Sequence, residues 1–376
     1  MSTRFGFVST FPPTQCGLAT FTAALRDALL RSTTDEGWVV RLVDAPAARP
    51  GDEVVAQLIP NDSASLRQAA AQLNLCDVAI VQHEYGVYGG ADGSEVLHLL
   101  GQVRVPCVVV LHTVLTDPTP HQRQVLEAVV AKADAVVAMT MTARERLAAG
   151  YAVNMTKVCI IAHGAPALEA TMAEPTFRTG QFTVLTWGLL GPGKGIEWGI
   201  EAMAMLRDLA PMPRYTVAGQ THPKVLLHEG DAYRDRLREQ VRQADLGSCI
   251  TFDDYYRNTS ALASLVRSAD VVLLPYDSTE QVTSGVLIEA VAAGKPVVAT
   301  QFPHAREMLA GGAGLLVPHR DPAAIAAALR SVSMRGDVMT KMAAAAAATA
   351  PQLLWPVIAD QYRELAGRLI TASVAA

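Results

Sequence analysis

The chain has 376 residues, half of them hydrophobic and only 18% charged, which allows more than one buried core and excludes an intrinsically disordered chain. A formal charge of −5 and a pI near 6.0 speak against nucleic acid as a partner, since a phosphate backbone selects strongly basic faces. No apolar run is long enough to span a membrane, and residues 1–21 lack the charged-then-apolar order of a secretory leader.

Short β-branched apolar runs alternate with helix-patterned stretches, the signature of a parallel sheet wrapped by helices. In the first half, strands are predicted at 5–9, 39–43, 78–82, 107–112, 135–139 and 157–161, with helices at 21–31, 63–73, 121–131 and 142–149 among those between them. Residues 168–179 have no clear period and carry Pro175, so they read as a linker. The pattern then restarts, with strands at 183–187, 215–218, 250–252, 271–275, 297–300 and 314–317, and helices including 195–209, 231–244, 259–267 and 285–293. The alanine run 343–348 is a good helix former, and the amphipathic tail 355–369 is expected to pack on the body. The five cysteines, Cys16, Cys76, Cys107, Cys159 and Cys249, are scattered and never in CxxC spacing. They read as reduced thiols, which points to the cytoplasm.

In open parallel sheets, ligands sit at the carboxyl ends of strands, against helix N-termini. Three strand-to-helix loops carry suitable chemistry. The first, at 10–20, follows the first strand and contains Cys16, Gly17 and the helix-capping candidate Thr20; it is either a ligand loop or a plain turn. The second, at 187–196, holds Gly188, Gly191, Gly193 and Gly195 around one cation, Lys194. Backbone amides plus a lysine charge are what a pyrophosphate needs, the alternative being a solvated surface lysine. It is not a P-loop, because Ile196 stands where a magnesium-binding hydroxyl would be. The third, at 281–289, opens a helix at Thr283, Ser284 and Gly285 and places Glu289 one turn inside, among apolar neighbours. An acidic group beside a phosphate site commonly holds ribose hydroxyls, and a shielded carboxylate needs partners. His83, Glu84, Tyr85 and Gly86 follow a strand end and read as either an acceptor-binding or a structural loop. His112 and Asp117 are acid–base candidates, while His163 and Gly164 more simply shape a hinge. No cluster has metal-ligand spacing and no Gly-x-Ser-x-Gly elbow appears.

Taken together, these residues resemble the retaining nucleotide-sugar glycosyltransferases with the GT-B fold, often called family four. The second half carries the likeness: Gly188, Lys194 and Gly195 match a Gly-Arg-…-Lys-Gly loop, and Gln281-x7-Glu289 runs into Ala290-Val-Ala-Ala-Gly-Lys-Pro-Val-Val298. The resemblance implies two Rossmann-like α/β domains facing across a cleft: 1–167 on the acceptor side, 168–350 on the donor side, and a C-terminal helix, 351–376, returning to the first. It implies that Lys194 holds the donor diphosphate and Glu289 the ribose, with Gly188, Gln281, Thr283, Ser284, Gly285, Val286 and Leu287 also on the donor. His112 is implied near the donor sugar and, with Lys194 and Gln281, in catalysis; Gly17 joins the donor set. Cys16, His83, Glu84 and Tyr85 are implied on the acceptor side, and the base is expected near Asp253-Asp-Tyr-Tyr256. The implied partners are a UDP- or GDP-sugar and a sugar, polysaccharide or small-molecule acceptor, with no metal or other cofactor required; the oligomeric state stays open.

Two departures stand out. The family arginine falls at Leu189, leaving the clamp one cation short unless Lys224 or His222 substitutes, and the first glutamate of the motif is Gln281. Both features leave a second reading of the same fold, a non-catalytic nucleotide-sugar-binding protein. A nicotinamide oxidoreductase is a third, but it lacks a Gly-x-Gly-x-x-Gly after the first strand.

Overall fold

Runs such as Val78–His83 and Cys107–Leu111 are buried at every residue, as inner strands covered on both faces must be. A computed structural model describes residues 2–31, 33–167 and 180–375; the predicted linker at 168–179 lies outside them. The strands form two wholly parallel sheets. In the first, β1 (Arg4–Ser9), β2 (Glu36–Leu42), β3 (Val54–Leu58), β4 (Val78–His83), β5 (Cys107–Leu111), β6 (Ala135–Ala138) and β7 (Val158–Ile160) lie in the order β3-β2-β1-β4-β5-β6-β7. In the second, β8 (Thr183–Trp187), β9 (Arg214–Ala218), β10 (Ile250–Asp253), β11 (Val271–Leu274), β12 (Val297–Thr300) and β13 (Gly314–Val317) lie in the order β10-β9-β8-β11-β12-β13. Both orders reverse direction at their first strand, the switch point where α/β proteins open a crevice at the carboxyl edge. Edge strand β3 was not predicted: its residues alternate between buried and half-buried, and only five separate Glu53 from Ile59.

The chain divides into two compact units, Met1–Gly164 with Trp355–Ala376, and Ala165–Leu354. In the first, the C-terminal helix Trp355–Ala375 buries Trp355, Ile358, Ala359, Tyr362, Leu365 and Ala366 at helical spacing. That stripe packs on the helix Gly17–Leu30, with Trp355 edge-on to Phe21 at 5.1 Å and Arg363 Nη2 donating to the Leu29 carbonyl at 2.7 Å.

In the second unit the period of two along each strand sorts side chains onto two faces. From β11, Val271 and Leu273 join the helices Ile196–Ala204, Ala232–Gln243 and Pro322–Met334 in one core. Val272 and Leu274 join the helices Gly285–Ala292, Pro303–Met308 and Gly336–Thr349 in the other. No helix among the described residues is long and apolar enough to cross a membrane.

Candidate functional site

In the second unit, three loops at the carboxyl edge of the sheet come together. Gly195 has a backbone φ of +63°, and a Cβ there would lie 1.8 Å from the Pro275 carbonyl oxygen, so only glycine lets the loop after β8 press against the end of β11. The Asp277 N–H donates to the Gly193 carbonyl at 2.9 Å, and Lys194 Nζ sits 4.4 Å from the centre of the Tyr276 ring. Tyr276 is itself buried and stacked on Phe302, so the lysine stem rests on a fixed platform while its head stays half-buried. Gly188 lies within van der Waals reach of Val286, in the first turn of the helix Gly285–Ala292. At the end of β8, Trp187 Nε1 donates to Glu289 Oε2 at 3.2 Å. The loop that carries Lys194 therefore rests on the end of β11, while its root at Trp187 and Gly188 touches the helix that carries Val286 and Glu289.

The helix start is more committed than the sequence implied. Ser284 caps the helix, its Oγ accepting the Leu287 N–H at 3.3 Å. The Ser284 N–H is taken by His304 Nδ1 at 2.8 Å. This corrects the expectation that the amides from Ser284 to Leu287 all face the donor: those of Ser284 and Leu287 are spent, and those of Gly285 and Val286 have no hydrogen-bond partner among the described residues. His304, buried on the helix Pro303–Met308, also donates its N–H to the Gln281 carbonyl at 3.3 Å, so it braces both ends of the 281–284 segment. Sequence reasoning missed it, because an isolated histidine after β12 carries no motif. Gln281 Nε2 turns back to the Thr283 carbonyl at 3.1 Å, and the Thr283 hydroxyl is buried without a partner among the described residues.

Glu289 is partly open at its rim and otherwise enclosed. Burial pushes its carboxyl up to about 7, against the opposing effect of the Trp187 hydrogen bond. It is the kind of carboxylate that binds a hydroxyl pair firmly once ionised and stays protonated otherwise.

The loop after β9 runs beside the loop after β8. Gly219, at φ +125°, brings its backbone so close to the Gly188 carbonyl that a Cβ would lie 2.0 Å from that oxygen. Asp254 pairs with the buried Arg234 and with Arg238, and Asp253 with Arg257, so both aspartates near the expected base position are occupied by arginines. Tyr255 and Tyr256 stay exposed. A separate cavity of about 520 Å³ is lined by Gly193, Glu197, Tyr233, Arg236, Asp277 and Arg320 among others. It opens beside the helices Ile196–Ala204 and Ala232–Gln243, and neither Lys194, Val286 nor Glu289 lines it, so it is not the region described above.

In the first unit the candidate residues split into exposed and buried sets. Cys16 caps the helix Gly17–Leu30, its Sγ accepting the Ala19 N–H at 3.4 Å and lying 3.1 Å from Thr10 Oγ1, and the space above Gly17 is open. Glu84 accepts from Thr113 Oγ1 at 2.5 Å and from the Tyr85 N–H at 3.0 Å. His83 and Tyr85 do not present their side chains to an acceptor as expected: His83 ends an inner strand covered on both faces and is fully enclosed, and the turn at 84–86 carries Tyr85 inside. His112 Nε2 donates to Gln82 Oε1 at 2.7 Å, and its ring meets Phe21 edge-on at 5.0 Å. Burial, with the nearby His163 and His83 adding, depresses it to about 3, so its ring is a neutral hydrogen-bonding group rather than a base. No hydrogen bond joins it to the exposed Asp117. His163 packs against Phe21 and Trp355 within the same unit.

Two parallel sheets, each covered by helices on both faces, place the molecule in the GT-B class of α/β proteins. Anabaena HepE in complex with UDP matches over 97% of this chain and 100% of its own, with a TM-score of 0.73 at 18% identity. Sucrose-phosphate synthase from Thermosynechococcus elongatus matches over 98% and 100%, with a TM-score of 0.73 at 19% identity. The family model described as glycosyl transferases group 1 matches residues 181–334. A D-inositol 3-phosphate glycosyltransferase from Kineococcus radiotolerans is 30% identical over 66% of this chain and 59% of its own length. One of the same description from Geodermatophilus obscurus is 28% identical over 77% and 66%. The matches thus span 59% and 66% of these relatives' own length, less than two thirds of either.

Proposed function

We propose that the protein transfers a sugar from a nucleoside-diphosphate donor, bound on the second unit, to a hydroxyl acceptor. The observation that carries this reading is that one loop after β8 carries Lys194 over Tyr276 and, at its root, touches Val286 through Gly188 and Glu289 through Trp187. In this reading Lys194 and the amides of Gly285 and Val286 take up the charge that develops on the departing diphosphate, in a site where water competes little. Glu289 receives the ribose hydroxyls, and Gln281 a sugar hydroxyl as a neutral partner. These groups suffice without a metal ion. His112 contributes hydrogen bonds, and Cys16 and Glu84 keep the surface available to an acceptor in the first unit. The resemblance to the retaining glycosyltransferases favours retention at the anomeric carbon.

UDP or GDP is the expected nucleotide: HepE was solved with UDP, and a Mycobacterium tuberculosis relative is named as GDP-mannose-dependent. The five cysteines are free thiols, which suits a reducing cytoplasm. Leu189 and Gln281 favour one competing reading, a protein that binds the donor without consuming it.

A panel of UDP-, GDP-, ADP- and TDP-sugars scored by thermal shift identifies the donor, since binding raises stability by mass action. Turnover is then measured with the stabilising sugar nucleotide. Lys194→Ala should lower donor affinity and turnover together by about tenfold or more, the worth of a charge-assisted phosphate bond. Wild-type kinetics in that variant would remove the assignment, and binding without consumption by the wild type would favour the competing reading.

A further inference from the structure

We propose that His222 is a direct ligand of the donor diphosphate, supplying from the loop after β9 the contact that Leu189 cannot make from the loop after β8. The inference rests on the donor reading above and adds a residue to it. The two loops are joined by backbone pairing: the Leu190 N–H donates to the Gln220 carbonyl at 2.8 Å and the His222 N–H to the Leu190 carbonyl at 2.7 Å. A Cβ on Gly191 would lie 4.0 Å from the His222 Cβ, so the His222 side chain starts against the loop that carries Lys194, whose charge it feels.

The ring's orientation is fixed by its own turn. Nδ1 accepts the Lys224 N–H at 3.2 Å, which puts the ring proton on Nε2. Nε2 has no hydrogen-bond partner among the described residues, and the side chain is half-buried rather than free in solvent. Burial and the charges of Lys224 and Lys194 hold this imidazole below its usual range, so it waits as a neutral N–H donor in a positive field. A diphosphate entering that field meets a preoriented donor and a cation together. Lys224, the other substitute considered for the missing arginine, is exposed. A half-buried imidazole anchored through Nδ1 has less freedom to lose.

The variant that separates this role from a structural one is His222→Asn. Asparagine retains a side-chain acceptor for the Lys224 N–H and is a good cap, but it has nothing in the position of Nε2. The full-length protein is titrated calorimetrically with the nucleoside diphosphate of the preferred base and with the matching nucleoside. We expect His222→Asn to weaken the diphosphate by about tenfold while leaving the nucleoside unchanged. Leu189→Arg placed in the His222→Asn background should recover most of that loss, since both side chains would serve the same phosphates. Equal weakening of diphosphate and nucleoside, or none, overturns the role of His222. A wild-type protein that binds no nucleoside diphosphate would remove the donor reading itself, a separate outcome.

Discussion

Glu289→Gln tests the donor reading through two quantities that should move in opposite directions with pH. The wild-type carboxyl titrates at about 7 because burial disfavours its charge, while in the unfolded chain it returns to the ordinary carboxylate range. The folded state therefore holds its proton more tightly, and stability must fall as pH rises from that range to about 7, then level off. A displacement of this size is worth roughly 3 kcal/mol in total. Donor affinity should run the other way if the ionised carboxylate receives the ribose. About a tenth of the molecules carry the charge at pH 6 and about nine tenths at pH 8, so affinity should rise about tenfold across that interval. A sugar nucleotide is the proper ligand, because its diphosphate bridge does not titrate near neutrality. Calorimetry and thermal melts at pH 6, 7 and 8 give both curves, and in Glu289→Gln both slopes should vanish. Trp187→Phe removes the Nε1–H bond that favours the charged form and should move both midpoints to higher pH. Wild-type affinity that stays flat from pH 6 to 8, or a slope that survives in Glu289→Gln, would refute the reasoning.

Three other perturbations follow from single contacts. Gly195→Ala forces a Cβ to within 1.8 Å of the Pro275 oxygen at a positive φ, and should cost about 2 kcal/mol or more, read as a lower melting temperature. His304→Leu leaves the buried Ser284 N–H without its acceptor at a cost of about 1–3 kcal/mol, and chemical denaturation of His304→Asn should recover part of it. His112→Gln should keep the pH dependence of turnover near neutrality while lowering its magnitude, as a pH profile of kcat/KM will show.

Much of the second unit was legible because each signal had a local physical cause. The apolar runs of β11 and β12 read as buried strands, and the glycines around Lys194 read as a loop able to approach other backbone, as Gly195 does at Pro275. What the sequence could not carry was competition for hydrogen bonds. Ser284 looked like an open amide at a helix start until His304, twenty residues later and without any motif, was found accepting from it. The loop at 83–85 misled for a related reason. A strand end implies an exposed rim, but β4 is covered on both faces to its last residue, His83, and the turn after it carried Tyr85 inside and left Glu84 half-buried between them. Edge strand β3 escaped because a half-covered edge needs no continuous apolar run.

The same burial that hides these groups also decides which residue can titrate during a reaction. His83 and His163 are pushed down to about 4 and His112 to about 3, each chiefly by loss of water around the charged form. Phe21 lies edge-on to His112 and to His163, and Trp355, delivered by the C-terminal helix, closes over His163 and Phe21. An imidazole in that setting would have to give up packing to gain a proton, so all three stay neutral across the range in which proteins usually work. Glu289 is shifted by the same force in the opposite sense, because for an acid the disfavoured charged form is the deprotonated one. Of these four groups only the carboxylate is brought toward neutrality. If the donor reading holds, an acidic limb in the activity should report Glu289 of the second unit and not a histidine of the first, even though a histidine at a strand end is the residue a sequence reader would choose.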